Sequence, residues 1–225
     1  MDNKLFIPDK HGFFDDLVVM LVSLSSYMFT MHLSMASNTP VPFVERPLKE
    51  WISYIAPLKI IEWPFALGCR ATESNLVVFP IPAVMICSLD GWPQYIEYRI
   101  EPIGETQPSY RLSGAGVSRV MAGIVGSSFS NFYERCKPVV VDRYKTNVDL
   151  WPETFRFAWA LRNGFAHGGS LKINDPKLRP ISWRIWTVDS TYNGRQLLHK
   201  EGMLGIGDVI LLMQELDDLT KSIVP

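Results

Sequence analysis

The segment Arg162-Asn163-Gly164-Phe165-Ala166-His167 combines side chains suited to acid–base chemistry at a phosphate group. Histidine is the side chain whose ordinary pKa, roughly 6.5, suits proton transfer near neutral pH. Arginine carries a permanent charge on a planar fork that matches phosphate oxygens. Asn163 can orient the histidine or donate a hydrogen bond to the phosphate. This segment is therefore the strongest candidate for a catalytic site in the sequence.

The spacing of Arg162, Asn163 and His167 gives the pattern Arg-polar-x-x-x-His. This pattern resembles the active-site motif of the HEPN superfamily (higher eukaryotes and prokaryotes nucleotide-binding). The resemblance covers the predicted fourth helix and the Gly168-Gly169 pair that follows it. It implies a small helical bundle, commonly a homodimer, that acts on RNA as a ribonuclease without metal. It also implies a setting in defence or toxin–antitoxin systems, with a cognate antitoxin or a nucleotidyltransferase as a further partner.

The resemblance also implies roles for individual residues. RNA would be cleaved by attack of the 2′-OH, with His167 as general acid or base and Arg162 stabilising the phosphate in the transition state. Asn163 would assist as a third catalytic residue, and Arg156 is the candidate substrate-binding residue. No cofactor is expected, and the sequence shows no cluster of metal ligands. The alternative hypothesis is a non-catalytic HEPN-like module that binds RNA or nucleotide, or that dimerises and binds a protein.

Each of these residues also has a structural interpretation. His167 fits a histidine at a helix end, where the negative end of the dipole favours a cation. Arg162 fits a buried arginine paired with a carboxylate. Arg156 is more typical of a solvated charge, and Asn163 of an ordinary surface residue.

An ideal helix sends these side chains in different directions. At about 100° per residue, Arg156, Asn163 and His167 lie within one stripe. Arg162 falls inside the apolar arc of the helix, roughly 140° from His167. Three explanations remain open: Gly164 distorts the helix, the long arginine side chain reaches round it, or the apolar arc is partly a subunit interface. The last predicts that two protomers complete one cleft, each supplying a histidine.

The helix that carries the motif is predicted from both of its ends. Pro152 fits the first helical position, where a missing N–H costs nothing, and Glu153 suits the positive end of the dipole. Gly168-Gly169 provides a left-handed stop. The motif therefore lies in the last turns of this helix.

Other helices are predicted from apolar periodicity and from proline. The first runs from about Gly12 to Ser37, and a second lies near Pro47–Glu62. A third fits Ala115 to about Cys136, and Pro138 is expected to end it. The last helix is expected to be capped by Asp208.

Two β-hairpin insertions are predicted, at about residues 83–100 and 182–198. In the first, Asp90-Gly91 is the turn signal between two strand-like runs. In the second, Asn193-Gly194 separates a long strand from a return strand at residues 195–198. The side chains of Trp183 and Trp186 in this hairpin could stack on bases, but the core is the favoured interpretation.

Composition limits the class of protein. The chain has 225 residues, of which 47% are hydrophobic and 20% charged, as is typical of a globular domain. Its net charge is −1, so no overall basic field marks it as a nucleic-acid binder. The fold is therefore predicted to be mainly α: a HEPN-like helical bundle of about five helices with the two hairpins, in a single domain over residues 1–225.

Cysteine usage and apolar runs predict a cytoplasmic protein without a membrane partner. Cys69, Cys87 and Cys136 are far apart, so no disulfide framework is expected and all three are predicted to be buried thiols. The longest apolar run, Leu17–Met31, spans about 15 residues, fewer than the ~18 of a membrane helix. The first residues lack the pattern of a secretory signal.

Overall fold

The computed structural model describes residues 4–37, 65–79, 93–103, 115–173, 179–198 and 202–223. These residues form four α-helices, a four-stranded antiparallel sheet and a two-stranded hairpin. The helices are α1 (Phe14–Ser37), α2 (Ala115–Tyr144), α3 (Glu153–Ala166) and α4 (Ile206–Ile223). The strands are β1 (Lys4–Phe6), β2 (Phe65–Cys69), β3 (Ser74–Phe79), β4 (Ile96–Pro102), β5 (Ile181–Trp183) and β6 (Trp186–Val188).

The prediction of a mainly helical, HEPN-like bundle of about five helices with two hairpin insertions is wrong. Helix makes up 53% of the described residues and strand 19%, in a fold that mixes α-helices with β-sheet. The main sheet has the strand order β1–β4–β3–β2. Strand β3 lacks the alternation that marks a half-buried strand, because Leu76, Val77 and Val78 are all buried. β1 has only three residues, too few for any pattern.

The predicted hairpin at residues 83–100 is also corrected. Its second strand exists as β4, but β4 pairs with β3 on one side and with β1 on the other. Tyr98 lies opposite Val78 in β3 and opposite Lys4 in β1. The expected first strand, residues 83–89, lies outside the described residues. At Glu97 and Tyr98, both edges of β4 are therefore paired with β1 and β3.

The second hairpin is shorter than predicted. β5 and β6 pair directly, with Trp183 opposite Trp186, so the turn falls at Arg184-Ile185. This turn has no glycine or asparagine to signal it, and Arg184 itself takes a φ of 51°. Residues 195–198 are not a strand of this hairpin. Instead, Gln196 makes an isolated bridge to the segment that follows α3.

The predicted helix ends agree with the structure where local signals define them. The end that was predicted from Pro138 does not. α1 covers the predicted range of residues 12–37 apart from its first two residues. α2 does not end at Pro138 but continues to Tyr144. Pro138 is exposed, so water can solvate the carbonyl of Glu134, which loses its amide partner. The helix predicted near residues 47–62 lies outside the described residues.

Helix α2 is the central helix of the described fold. It packs against α1, α3 and α4, and α4 also packs against β2. Aromatic rings join the sheet to the helices: Phe6 stacks on Tyr98 with centroids 3.9 Å apart, and Phe13 meets the edges of Phe6 and Phe132. The motif helix α3 therefore rests on the helix that organises the core. Within the described ranges, no helix has the length and apolar character needed to cross a membrane.

Asp208, the predicted cap of the last helix, has a wider role. α4 begins at Ile206, so Asp208 lies in its first turn, fully buried, and accepts a hydrogen bond from the Gly205 N–H at 2.8 Å. The same carboxylate accepts from the backbone N–H groups of Arg70 and Ala71, at 2.8 and 3.0 Å. These two residues form the turn between β2 and β3. Asp208 thus joins the end of the sheet to the start of α4.

Cys69 and Cys136 are buried free thiols, as predicted, whereas Cys87 lies outside the described residues. Burial raises the pKa of Cys69 to about 12 and that of Cys136 to about 11. Both stay protonated at pH 8, and a thiol without its thiolate is a poor nucleophile. In a Cys87→Ser variant we expect no native thiol to react with DTNB, and both remaining thiols to react after unfolding in guanidinium. Reaction of both thiols in the native protein would contradict their burial.

Candidate active site

Helix α3 ends at the candidate motif, as predicted. It starts after Pro152 and stops where the backbone N–H of His167 donates to the Gly164 carbonyl at 3.1 Å. Gly168 and Gly169 then take φ values of 78° and 82°, in the left-handed region that favours glycine. The chain turns away sharply and leaves His167 exposed at the end of the helix.

One face of α3 remains partly open to solvent from its middle onward. We call it the open face, and it comprises the half-buried or exposed residues Trp159, Arg162, Asn163, Phe165, Ala166 and His167. Arg162 was predicted inside an apolar arc, yet its side chain is 37% exposed. Arg162 and His167 lie toward opposite sides of this face, roughly 140° apart on an ideal helix, with Asn163 between them. The apolar arc of α3 is therefore not buried throughout.

Gly164 does not distort the helix, because α3 continues without interruption to its last residue. Its role is to make room for the chain that follows. A Cβ at this position would lie 2.8 Å from Cδ1 of Leu197 and 3.1 Å from the carbonyl oxygen of Ser170. Gly126 of α2 makes room in the same way for Phe165, whose ring carbon Cδ1 would lie 2.7 Å from a Cβ there. Both glycines permit close packing around the end of α3.

Arg162 is held by a carboxylate of the neighbouring helix α2. Its Nε lies 2.7 Å from Oε1 of Glu134, and Oε2 of Glu134 lies 3.8 Å from Nζ of Lys137. Pairing with a carboxylate was one of the two interpretations of Arg162, but the pair is half-exposed, not buried. A pair this exposed adds at most about 1 kcal/mol to stability. The closest contact of the pair is made by Nε and not by the terminal amino groups of Arg162.

A neutral phenol lies next to Glu134 on α2. Tyr133 is 1% exposed, and its hydroxyl has no hydrogen-bond partner within the described parts of the chain. Burial raises the pKa of Tyr133 above the ordinary value, so the phenol is not a base near neutral pH. Its ring packs against Phe129 and Phe155, with centroids 6.4 and 5.9 Å away. Tyr133 therefore belongs to the packing beneath the site.

Arg156, the predicted substrate-binding residue, lies in the interior. Its side chain is 2% exposed, which corrects both the expected substrate contact and the alternative of a solvated charge. Its Nη2 donates to the carbonyl of Arg179 at 2.8 Å and lies 3.5 Å from Oδ1 of Asp149. The guanidinium thus ties α3 to the chain before β5. In the sequence, Arg156 stands between Phe155 and Phe157, and this is the signal that could have indicated its burial. Both phenylalanines are buried in the structure.

The hairpin tryptophans pack on α3, which confirms the core interpretation. Trp183 stacks on Phe157 and Trp186, with centroids 5.1 and 5.7 Å away. Its indole N–H donates to Oε2 of Glu215 at 2.6 Å, and Arg184 donates to Oε1 of the same carboxylate. Both the ring and the N–H of Trp183 are therefore engaged within the protein.

Sequence reasoning missed three charged residues around the motif. Glu134 lies on another helix, where no spacing rule links it to Arg162. Lys172 and Arg195 lie on segments that pair after α3. Only Lys172 carried a local signal, because it is a cation that follows the Gly168-Gly169 exit within a few residues.

The open face carries groups that can move a proton and bind a phosphate. His167 offers an imidazole and Arg162 a half-exposed guanidinium, and the side chain of half-buried Asn163 has no hydrogen bond among the described residues. A single imidazole can act as base or as acid at one time, but not as both. No protein family model, curated protein or solved structure matches this chain.

Proposed function

We propose that this protein is a metal-independent endoribonuclease of the HEPN type. The observation that carries the proposal is the end of α3, where an exposed His167 follows Arg162 and Asn163 on one open face. The residue types and their exposure suit acid–base catalysis at a phosphodiester. The proposal concerns the chemistry of the site and does not depend on a helical-bundle fold.

The proposed reaction starts with transfer of the 2′-OH proton of RNA to the imidazole of His167. The 2′-oxygen attacks the adjacent phosphorus, and the bond from phosphorus to the 5′-oxygen breaks. The leaving 5′-oxygen receives a proton from an acid, so the products are a 2′,3′-cyclic phosphate and a 5′-hydroxyl. The terminal amino groups of Arg162 bind the non-bridging oxygens, where charge develops in the transition state. Asn163 donates a further hydrogen bond to the phosphate or orients His167.

A homodimer is part of the same proposal, because the reaction needs a base and an acid together. Two protomers would supply two copies of His167 to one cleft. The open face also leaves Trp159 and Phe165 half-buried, and Val120 on the neighbouring α2 is 44% exposed. Apolar surface of this kind is typical of an interface. Light scattering at micromolar concentration measures the stoichiometry, and a monomer would count against the two-protomer site.

The proposal is tested with single-stranded RNA in excess EDTA. We expect cleavage that EDTA does not reduce, and products that end in a 2′,3′-cyclic phosphate. A DNA strand of the same sequence should stay intact, because it lacks the attacking 2′-OH. Complete loss of cleavage on chelation, or equal cleavage of the DNA strand, would contradict the mechanism.

A second candidate function is a non-catalytic module that binds RNA or nucleotide, or that dimerises and binds a protein. The ion pair between Arg162 and Glu134 favours it, since a phosphate must compete with a carboxylate already in place. Binding of RNA that survives both Arg162→Ala and His167→Ala, in a protein that never cleaves, would favour the module over the nuclease.

The proposed defence setting follows from the resemblance, and the proposed cytoplasmic location follows from the cysteine usage. We propose a cytoplasmic protein of a defence or toxin–antitoxin system, kept inactive by a cognate antitoxin or a nucleotidyltransferase. Growth arrest on expression, relieved by Arg162→Ala or His167→Ala, is the expected sign of such a toxin.

A further inference from the structure

The chain that leaves the motif forms a short paired platform with a distant segment. The Leu197 N–H donates to the Gly169 carbonyl, and the Gly194 N–H donates to the Leu171 carbonyl, each at 2.8 Å. Leu171 in turn donates its N–H to the carbonyl of Arg195 at 2.9 Å. We call these residues, 169–172 and 194–197, the exit platform. Because the Gly169 N–H donates to the Gly164 carbonyl at 2.9 Å, the platform starts at the last turn of α3.

The exit platform is apolar inside and cationic outside. Leu171 and Leu197 are fully buried and anchor it to the core. Lys172 and Arg195 are exposed, and neither makes an ion pair with any residue that the structure describes. The guanidinium of Arg195 lies over the ring of Tyr192, 5.0 Å from its centroid, which limits its rotamers. Two cations are thus displayed on a backbone that is itself held in place.

The chain that follows His167 is bare backbone. Gly168 is exposed, Gly169 is buried, and a Cβ at either would meet nothing within 4 Å. An extended chain advances at most ~3.6 Å per residue, so Lys172 lies within roughly 18 Å of His167. A strand of a few nucleotides spans that distance. Bare backbone beside the imidazole lets a sugar–phosphate chain approach closely.

We infer that the exit platform is a binding site for single-stranded RNA, in which Lys172 and Arg195 contact phosphates within a few nucleotides of the scissile one. This inference rests on the proposed function, since it assigns the rest of the substrate to the same site. It also explains how a chain with a net charge of −1 can attract RNA, through two exposed cations that make no ion pair with the described residues. Contacts of this kind position the strand without reading its sequence.

The test is the salt dependence of binding of a single-stranded RNA oligonucleotide, measured in a His167→Ala background so that the strand stays intact. Each phosphate contact changes the slope of log K against log salt by about 0.7 for a single strand. We expect Lys172→Gln/Arg195→Gln to make this slope shallower by about 1.4 and to weaken binding roughly 25-fold at 0.1 M salt. Glutamine keeps most of each side-chain stem, so packing changes little.

The matched control is Lys4→Gln/Arg143→Gln, which also removes one exposed lysine and one exposed arginine. Arg143 lies in the last turn of α2, about 14 Å along that helix from Glu134, the partner of Arg162. We expect the control to change the slope by less than about 0.3. An equal change in both double variants would overturn the exit platform as a specific site and leave only a general charge effect.

The outcomes for the platform and for catalysis are separable. Cleavage by the parent protein with no change of slope in Lys172→Gln/Arg195→Gln overturns the platform and leaves the nuclease intact. The expected slope change in a protein that does not cleave supports the platform and overturns the nuclease. Absence of both cleavage and binding overturns both.

Discussion

The variant His167→Ala should lower the rate of RNA cleavage by about 10²- to 10⁴-fold, the usual contribution of a general acid or base. Its fold should be unaffected. His167 is exposed, and its imidazole makes no hydrogen bond or ion pair with the described residues. Its backbone N–H, which closes the end of α3, is retained in alanine. We therefore expect the free energy of unfolding to change by no more than about 0.5 kcal/mol. Cleavage of a labelled RNA under single-turnover conditions and urea denaturation measure the two effects.

His11→Ala is the matched control, and it should lower stability while leaving RNA cleavage unchanged. Nδ1 of His11 lies 2.9 Å from the backbone N of Ile7, and its ring meets the edges of Phe6 and Phe13. Removing it should cost about 1–2 kcal/mol of stability, through a lost hydrogen bond and lost packing. Below its melting temperature this variant should cleave RNA at the parent rate. Equal activity in His167→Ala and the parent would refute the catalytic assignment.

The variant Gly205→Ala should be destabilised by about 3 kcal/mol, an effect near the upper end for overpacking. A Cβ on Gly205 would meet the carbonyl of Gly68, with the carbonyl carbon only 2.7 Å away. The obstacle is backbone in β2, so no side-chain rotation can relieve it. The start of α4 would have to move away from β2, which also strains the three hydrogen bonds accepted by Asp208. The midpoint of urea denaturation measures the loss.

Gly123→Ala is the control for the glycine substitution itself. Gly123 is exposed in the middle of α2, and a Cβ there would meet nothing within 4 Å. Because alanine is the better helix former, this variant should be more stable than the parent by up to about 1 kcal/mol. If Gly205→Ala unfolds at the same urea concentration as the parent, the close contact between α4 and β2 is wrong.

Local signals explain which elements could be predicted. Helix α3 is marked at both ends by residues within its own segment, Pro152 and Gly168-Gly169, so its bounds agree with the structure. The main sheet has no comparable marks. β4 looks like half of a hairpin, because its sequence cannot show that its partners are β3 and the three residues of β1. Strand pairing between distant segments depends on the whole chain, whereas helix ends depend on a few neighbours.

The same distinction applies to the candidate site, where residues within one helix could be predicted and contacts between elements could not. Arg162, Asn163 and His167 share one helix, so a motif with fixed spacing can find them. The partner of Arg162 is Glu134 on α2, and only the packing of two helices brings them together. Arg156 was predicted to be accessible, because helical periodicity places it on the same stripe as His167. That periodicity cannot show that β5 and the chain before it cover Arg156. The sequence therefore predicts the direction in which a side chain leaves its own helix, but not whether other elements bury that side chain.

Two long-range hydrogen bonds accepted by acidic side chains of α4 have a consequence for how the protein folds during synthesis. The side chain of Asp217 accepts from the Gly12 N–H, 205 positions away in the chain, and that of Asp208 accepts from the Arg70 N–H, 138 positions away. Contacts of such long range form late, because the intervening chain must first be present. On a translating ribosome, α3 and its motif emerge well before α4, and the core stays open until α4 follows. The nuclease proposed above would therefore gain its activity only after the ribosome had passed the codons for α4, and not when its motif first emerges.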